Sequence, residues 1–190
     1  YANGELESLP DPLTGLGPSF VFADVEGKDV LCLASGGGQQ SAVFSLLGAG
    51  VTVADLTEGQ LRGDRDAAAH YGYEITTLQA DMRDLSCLNE DAFDLVYQAD
   101  SIAYVRDVGE VYGEVARVLR AGGLYRVKHY QPAIHFVEWQ PRMTRDGGGY
   151  RITKPYAERV DRREDGGVEF RHYMDDIFNG LLDVGLSLQH

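Results

Sequence analysis

The chain has 190 residues, of which 44% are apolar and 25% charged, and a formal net charge of −13. This composition excludes collagen-like, low-complexity and wholly disordered proteins, whose amino-acid usage departs far from the globular average. The negative charge, with no basic stripe to offset it, argues against a nucleic-acid ligand, and no apolar run approaches the roughly 18 residues that cross a bilayer.

The length predicts one domain over residues 1–190. The two cysteines, Cys32 in an apolar run and Cys87 in a polar connection, predict no disulfide and no metal site, and they favour a reducing, cytoplasmic location. Residues 1–26 contain three prolines and little periodicity. They are predicted to form an irregular N-terminal segment over the domain surface.

Residues 27–129 alternate short apolar runs with helical patterns. The runs are typical of buried strands, and we predict strands at Asp29–Ala34, Val51–Asp55, Glu74–Gln79, Phe93–Gln98 and Leu124–His129. Short helical connections between such strands favour a doubly wound α/β fold with a mostly parallel sheet, because right-handed crossovers permit little else.

Two of the connecting helices have recognisable ends in the sequence. Thr57 and Gln60 predict a capping box at the start of one helix, which ends near Gly72. An apolar stripe over residues 108–119 predicts another helix, with a left-handed C-cap at Gly122-Gly123.

Residues 130–173 differ from the preceding part in being rich in aromatic residues and glycine. Tyr156–Arg162 and Val168–Tyr173 flank a Glu-Asp-Gly-Gly sequence that is typical of a β-hairpin. We predict that this segment is an insertion with a β-hairpin cap over the ligand edge of the sheet. Residues 174–190 predict a last helix and, at Leu186–Gln189, the start of a sixth strand, so we expect a fold that is incomplete at its C-terminal end.

Candidate ligand-binding residues follow the first three predicted strands, and ligands of open α/β sheets bind beyond the carboxyl ends of the strands. The glycines of Gly36-x-Gly38 allow the backbone to approach a ligand closely. Asp55, 17 residues after Gly38, stands where a carboxylate can accept both hydroxyl hydrogens of a ribose. Asp81 can accept from the amino group of adenine, while Met82 can pack on the ring and offer its N–H to a ring nitrogen.

Five segments in this order resemble the class I S-adenosylmethionine-dependent methyltransferases, in their small-molecule type 11 branch. The segments are VLCLASGGGQQS, VTVADLT, QADM, FDLVYQ and VARVLRAGG. The resemblance implies a Rossmann-like methyltransferase fold of seven strands, in which residues 27–129 are the cofactor-binding core and residues 130–173 lie on the substrate side. It also implies that S-adenosyl-L-methionine, which leaves as S-adenosyl-L-homocysteine, is bound by Ala34, Gly36, Gly38, Gln39, Asp55, Leu56, Gln60, Asp81, Met82, Gln98 and Ala99.

Methyl transfer from a sulfonium is an in-line displacement that works largely by proximity and orientation, so no catalytic triad is required. A base that removes the proton of the acceptor is expected where the fourth and fifth strands open. The candidates are Tyr104 and His129, then His135, Glu138 and His172, with Phe136, Trp139 and Tyr150 as an apolar wall. Many relatives carry histidine where this chain has Tyr104. Among the candidates for the base, His129 is ranked first because it ends the fifth predicted strand.

Two other functions remain open on the sequence alone. An NAD-dependent dehydrogenase shares the glycine turn and the acid after the second strand, but Ser41 replaces the third small residue of its fingerprint, and Asp81-Met82 fit adenine better. The other is a catalytically silent module that binds S-adenosylmethionine. For an enzyme we expect a small-molecule acceptor, neutral or cationic in view of the acidic surface, with no nucleic acid, membrane or metal involved. The oligomeric state is left open.

Overall fold

The structure is a computed structural model, which describes residues 24–130, 145–146, 149–150, 158–162 and 166–189. Within these ranges the chain forms two compact units, one from residues 24–101 and 113–128 and the other from residues 102–112 and from residue 129 onward. The single domain expected over residues 1–190, with boundaries after residues 26, 129 and 173, stays a prediction.

A five-stranded sheet forms the centre of the first unit. Its strands are β1 (Asp29–Leu33), β2 (Gly50–Asp55), β3 (Ile75–Gln79), β4 (Phe93–Gln98) and β5 (Leu119–Val127). Their order is β3-β2-β1-β4-β5, and every neighbouring pair is parallel. Because the strand order reverses between β1 and β4, the predicted doubly wound α/β fold with a mostly parallel sheet is confirmed.

Apolar packing holds this sheet together. Residues 30–33 of β1 are buried, as expected for a strand that is covered on both faces. The rings of Phe44 and Tyr97 pack edge to face, with their centroids 5.3 Å apart. Burial of this kind stabilises a fold by about 25 cal/mol for each Å² of apolar surface. The packed core therefore holds the strands, and with them the strand ends, in fixed positions.

Helices connect the strands. They are α1 (Gln39–Leu46), α2 (Glu58–Tyr71) and α3 (Val108–Val118), and a 3-10 helix at Asp100–Tyr104 precedes α3. As predicted, Thr57 precedes α2, and Gly72 ends it with a φ of 76°, in the left-handed region that favours glycine.

The start of α2 nevertheless differs from the prediction. The Thr57 side chain makes no capping bond. Its hydroxyl and its N–H both donate to Asp55 Oδ1, at 2.9 and 2.8 Å, and the Gln60 side chain lies against Gly37 instead. The predicted capping box is therefore wrong, because the carboxylate of Asp55 takes both Thr57 donors.

The start and the end of β5 also depart from the sequence pattern. Leu119, expected at the end of a helix, pairs with Phe93 as the first residue of the strand, after which the register shifts. Gly122, with a φ of 81°, lies in this irregularity and not at a helix C-cap. The strand ends at Val127, so the prediction that His129 ends it is wrong. The residues added by this irregularity move the start of β5 to Leu119, and the strand ends at Val127 because its register partner, Gln98, is the last residue of β4.

From residue 129 onward, the described part of the second unit forms short strands and one helix. β6 (Arg145–Asp146) pairs with β7 (Gly149–Tyr150), β8 (Val160–Arg162) pairs with β9 (Val168–Phe170), and α4 spans Met174–Asp183. The antiparallel pair of β8 and β9 is the predicted hairpin, with shorter strands than expected; Tyr156 lies outside the described residues. The pair of β6 and β7 was not predicted.

The last described residues are irregular. Leu186–Gln189 pair with none of the described strands, so the predicted start of a sixth strand is wrong. An extended segment without a neighbouring strand gains no ladder hydrogen bonds, and its apolar residues alone do not make it a strand. Among the helices that the structure describes, none has the length and hydropathy needed to cross a lipid bilayer.

Candidate functional site

The turn after β1 has the backbone conformation that its glycines predict. Gly36, Gly37 and Gly38 have φ angles of 80°, 76° and 96°, which only glycine adopts without strain. A Cβ on Gly38 would lie 2.8 Å from the carbonyl oxygen of Gly63, whereas a Cβ on Gly36 would meet no atom within 4 Å. Ala34, where the turn begins, has a φ of 46°, which costs an alanine roughly 1–2 kcal/mol. The turn therefore packs tightly at Gly38 and borders open space at Gly36.

The first three strands end side by side. The Ala34 N–H continues the ladder between β1 and β2 by donating to Ala54 O at 2.8 Å. Asp55, at the end of β2, is the register partner of Gln79, at the end of β3. The structure thus brings together at one edge of the first unit the residues predicted to bind the cofactor. These are Ala34, Gly36, Gly38, Gln39, Asp55, Leu56, Asp81, Met82, Gln98 and Ala99, with Gln60 one turn into α2.

Asp55 is the predicted ribose ligand, and it is largely buried, with 8% of its surface exposed. Both bonds from Thr57 fall on its Oδ1. Its other oxygen, Oδ2, has no hydrogen-bond partner among the residues that the structure describes. Leu56 follows and is 60% exposed. Asp55 therefore steadies the start of α2 and still has one carboxylate oxygen to offer to a ligand.

Asp81, the predicted adenine ligand, has a neighbour that the sequence reasoning missed. The Arg83 guanidinium donates to Oδ1 at 3.0 Å and to Oδ2 at 2.6 Å, and the Arg83 N–H donates to Oδ1 at 2.9 Å. The bonds from Arg83 lower the pKa of Asp81 below its usual range. A carboxylate can accept about four hydrogen bonds, so Arg83 leaves room for about one more. The Asp-x-Arg spacing was the available signal.

Gln98 ends β4 and is fully buried. Tyr125 donates to its Oε1 at 2.5 Å, and its Nε2 lies 3.1 Å from Ser101 Oγ and 3.2 Å from Met82 Sδ. Its amide is therefore used within the protein and fixes the loop that carries Met82. A contact of Gln98 with a cofactor has to come from its backbone, next to Ala99.

The predicted acceptor-side residues lie in the second unit. Tyr104 belongs to the 3-10 helix and is 54% exposed. His129 Nε2 lies 2.7 Å from the Tyr112 hydroxyl, and its ring centroid is 6.1 Å from that of His172. His172 Nε2 donates to the Val105 carbonyl at 2.8 Å.

Both histidines line a small cavity with room for about one water molecule. Of the other candidates, His135, Glu138, Phe136 and Trp139 lie outside the described residues, and Tyr150 is described by its backbone alone. His129 and His172 are thus the candidate bases whose side chains the structure brings together.

Burial makes His129 a neutral histidine. Burial and the neighbouring His172 lower the pKa of His129 to about 4. Burial lowers the pKa of His172 as well. Burial therefore favours the neutral form of both rings, in which one ring nitrogen carries no proton.

The low pKa of His129 predicts acid sensitivity. Unfolded histidine titrates near 6.5, so between about pH 6.5 and 4 the unfolded chain binds more protons and folding stability falls as the pH falls. We expect the free energy of unfolding to drop between pH 7 and 4.5 by on the order of 2 kcal/mol through this residue. Urea unfolding at the two pH values checks this, with the loss reduced in His129→Gln and retained in His70→Gln, which removes an exposed histidine. An equal loss in both variants would contradict the assignment.

Comparison with known proteins agrees with this arrangement. A family model described as a methyltransferase domain matches residues 31–127. The uncharacterized methyltransferase YbaJ of Bacillus subtilis is 32% identical over 179 residues, which cover 88% of this chain and 69% of that protein. The ubiquinone biosynthesis O-methyltransferase of Caulobacter vibrioides is 31% identical over 102 residues, 54% of this chain but only 40% of that enzyme.

A solved structure agrees as well. The S-adenosylmethionine-dependent methyltransferase of Mesorhizobium loti superposes with a TM-score of 0.75 at 26% identity, and the match covers 94% of this chain and 81% of that one. The resemblance seen in the sequence is thereby confirmed. The chain belongs to the methyltransferase domain family, and it is an S-adenosylmethionine-dependent methyltransferase.

Proposed function

We propose that the chain transfers the methyl group of S-adenosylmethionine to a small organic acceptor by in-line displacement. The observation that carries the proposal is the state of Asp55, which ends β2 beside the glycine turn and keeps Oδ2 without a partner among the described residues. Such a carboxylate oxygen suits a ribose diol, because hydrogen bonds from hydroxyls to an ionised acceptor are strong. The open space at Gly36 leaves room for the methionine part of the same ligand.

Each part of the cofactor has its proposed residues. Ala34, Gly36, Gly38 and Gln39 would hold the methionine part, Asp55 the ribose, and Asp81 with Met82 the adenine. Gln98 and Ala99 would contact the cofactor near its sulfur, and Leu56 and Gln60 would complete the set. When bound, S-adenosylmethionine supplies a methyl group on a positively charged sulfur, which carries most of the driving force for transfer. What remains for the protein is to orient the reactants and to exclude water.

His129 and Tyr104 are the residues proposed to act on the acceptor. His129 is neutral above about pH 4, so its ring can take up the proton that the acceptor loses. A weak base suffices for a hydroxyl acceptor, because an oxygen that has gained a methyl group while still carrying its proton is strongly acidic. The exposed Tyr104 offers a hydroxyl to the acceptor. The net charge of −13 supports a neutral or cationic acceptor over an anionic one.

The state of the cysteines supports the proposed cytoplasmic location. Cys32 is buried and Cys87 exposed, and both are free thiols. Free thiols persist in reducing compartments.

Product formation tests the proposed function. The chain is incubated with methyl-labelled S-adenosylmethionine and a panel of small phenols, amines and thiols. We expect release of S-adenosylhomocysteine together with labelled product from at least one acceptor, measured by mass spectrometry. In parallel, calorimetry should detect binding of S-adenosylhomocysteine and none of NAD.

Two results would count against this assignment. If calorimetry detects no heat of binding with S-adenosylhomocysteine, the proposed cofactor site is wrong. Heat without turnover across the whole panel favours a silent binding module.

A further inference from the structure

One face of α2 forms the support of the glycine turn. Gln60, Gly63, Asp64 and Ala67 share this face, because they are spaced i, i+3, i+4 and i+7. A Cβ on Gly38 would lie 2.8 Å from Gly63 O and 3.0 Å from Ala67 Cβ. The small residues Gly63 and Ala67 let the turn approach the helix closely, and Asp64 lies between them on the same face.

Asp64 is a buried acid bonded to the helix that follows the turn. It is 1% exposed, and its Oδ1 accepts a hydrogen bond of 2.5 Å from the hydroxyl of Ser41, which is fully buried. Its Oδ2 is buried and has no hydrogen-bond partner among the described residues. Asp64 thus joins α2 to the first turn of α1 through one hydroxyl.

This carboxyl stands where α1 lacks a cap of its own. Gly38 precedes α1 and has no side chain to cap it. Helix N-termini favour an acceptor or a negative charge near their free N–H groups. Burial raises the pKa of Asp64, and the hydrogen bond from the Ser41 hydroxyl opposes that shift. The bond from Ser41 therefore ties the first turn of α1 to α2, at a helix start that has no side-chain cap of its own.

A contact that served stability alone would have a lower free energy if it were apolar. Burying a carboxyl with one oxygen unpartnered costs free energy, and an apolar side chain in the same volume often stabilises a helix contact more. A polar pair, in contrast, fixes one geometry, because its bond is lost when either helix shifts. The geometry that this pair fixes is that of Gly36, Gly37 and Gly38, which lie directly before α1.

We propose that Ser41 and Asp64 are positioning residues that hold the glycine turn in its ligand-binding conformation. Their loss then lowers the affinity for the adenosyl cofactor while leaving the turnover of the saturated enzyme nearly unchanged, because neither residue touches the reacting atoms. The statement about affinity rests on the proposed function. The statement about the conformation of the turn does not.

Binding measurements test the affinity. The Kd for S-adenosylhomocysteine is measured by calorimetry for Ser41→Ala, Asp64→Ala and the double variant. We expect each single variant to raise the Kd about tenfold, and the double variant to match the weaker single one within about twofold, since the two residues act as one pair. Asp64→Asn keeps an acceptor for Ser41 and should restore the Kd to within about threefold of the wild-type value. Asp66→Asn, which removes an exposed acid from the same helix, is the matched control.

Kinetics and hydrogen exchange separate positioning from general damage. At saturating S-adenosylmethionine the kcat of Ser41→Ala should stay within about threefold of wild type while KM rises. Without any ligand, the amides of residues 36–40 should exchange faster in Ser41→Ala and Asp64→Ala, with those of β4 unchanged.

Unchanged exchange in the turn together with a wild-type Kd would overturn the proposal, as would additive effects in the double variant. If Asp64→Ala does not fold, the Kd and the amide exchange of Ser41→Ala, which removes a single oxygen, test the proposal instead. If the wild-type chain itself fails to bind S-adenosylhomocysteine, the proposed function is lost, and the exchange experiment still decides the positioning role.

Discussion

Asp55→Ala should weaken the binding of S-adenosylhomocysteine by at least about a hundredfold, since hydrogen bonds to a charged group contribute about 1.5–3 kcal/mol each and a ribose diol makes two. The carboxylate is 8% exposed, so no bulk water replaces it easily when it is removed. The Kd measured by calorimetry, with unfolding in urea as a check on the fold, gives the comparison.

The control for this experiment addresses the other role of Asp55. Its Oδ1 accepts from the N–H and the hydroxyl of Thr57, so part of any loss could arise at the start of α2. Thr57→Val removes the hydroxyl bond and keeps the carboxylate. We expect it to change the Kd by less than about fivefold, because one neutral donor contributes about 1 kcal/mol. Equal losses in the two variants would show that Asp55 acts only through the helix.

The parts of the fold that the sequence predicted are those that local patterns determine. β4 was predicted at Phe93–Gln98 and occupies those residues, because an apolar run of this length between polar turns has few other solutions. The sheet order follows from right-handed crossovers between parallel strands. Asp55 and the glycine turn were found for the same reason, since the carboxyl end of each strand can be located from the strand itself.

The features that were missed depend on contacts between elements. In the sequence, Asp64 is one of several charged residues of an amphipathic helix. Its carboxyl is buried against Ser41 only because α2 packs on the turn. Gln98 looks like a ligand residue until Tyr125, from the next strand, takes its amide oxygen. The capping box failed because its rule considers Thr57 and the helix alone and ignores the acid two residues earlier.

Gly38→Ala is expected to have the largest effect on stability. A Cβ at this position would lie 2.8 Å from Gly63 O and 3.0 Å from Ala67 Cβ, and the backbone angles, φ 96° and ψ −4°, already disfavour alanine. The left-handed conformation costs alanine about 1–2 kcal/mol and the displacement of close neighbours about 1–3 kcal/mol more, so the free energy of unfolding should fall by roughly 3–4 kcal/mol.

Gly72→Ala separates the two contributions to the Gly38→Ala effect. Gly72 has a φ of 76°, but a Cβ there would meet nothing within 4 Å, so the substitution carries the backbone cost alone. We expect a loss of about 1 kcal/mol, measured by urea unfolding with an unchanged m-value, and an unaltered Kd for S-adenosylhomocysteine. Gly38→Ala should weaken that binding as well, because its Cβ has to push the turn away from α2. If the two variants lose the same free energy, the close packing of Gly38 on α2 contributes nothing, and the turn is free to move.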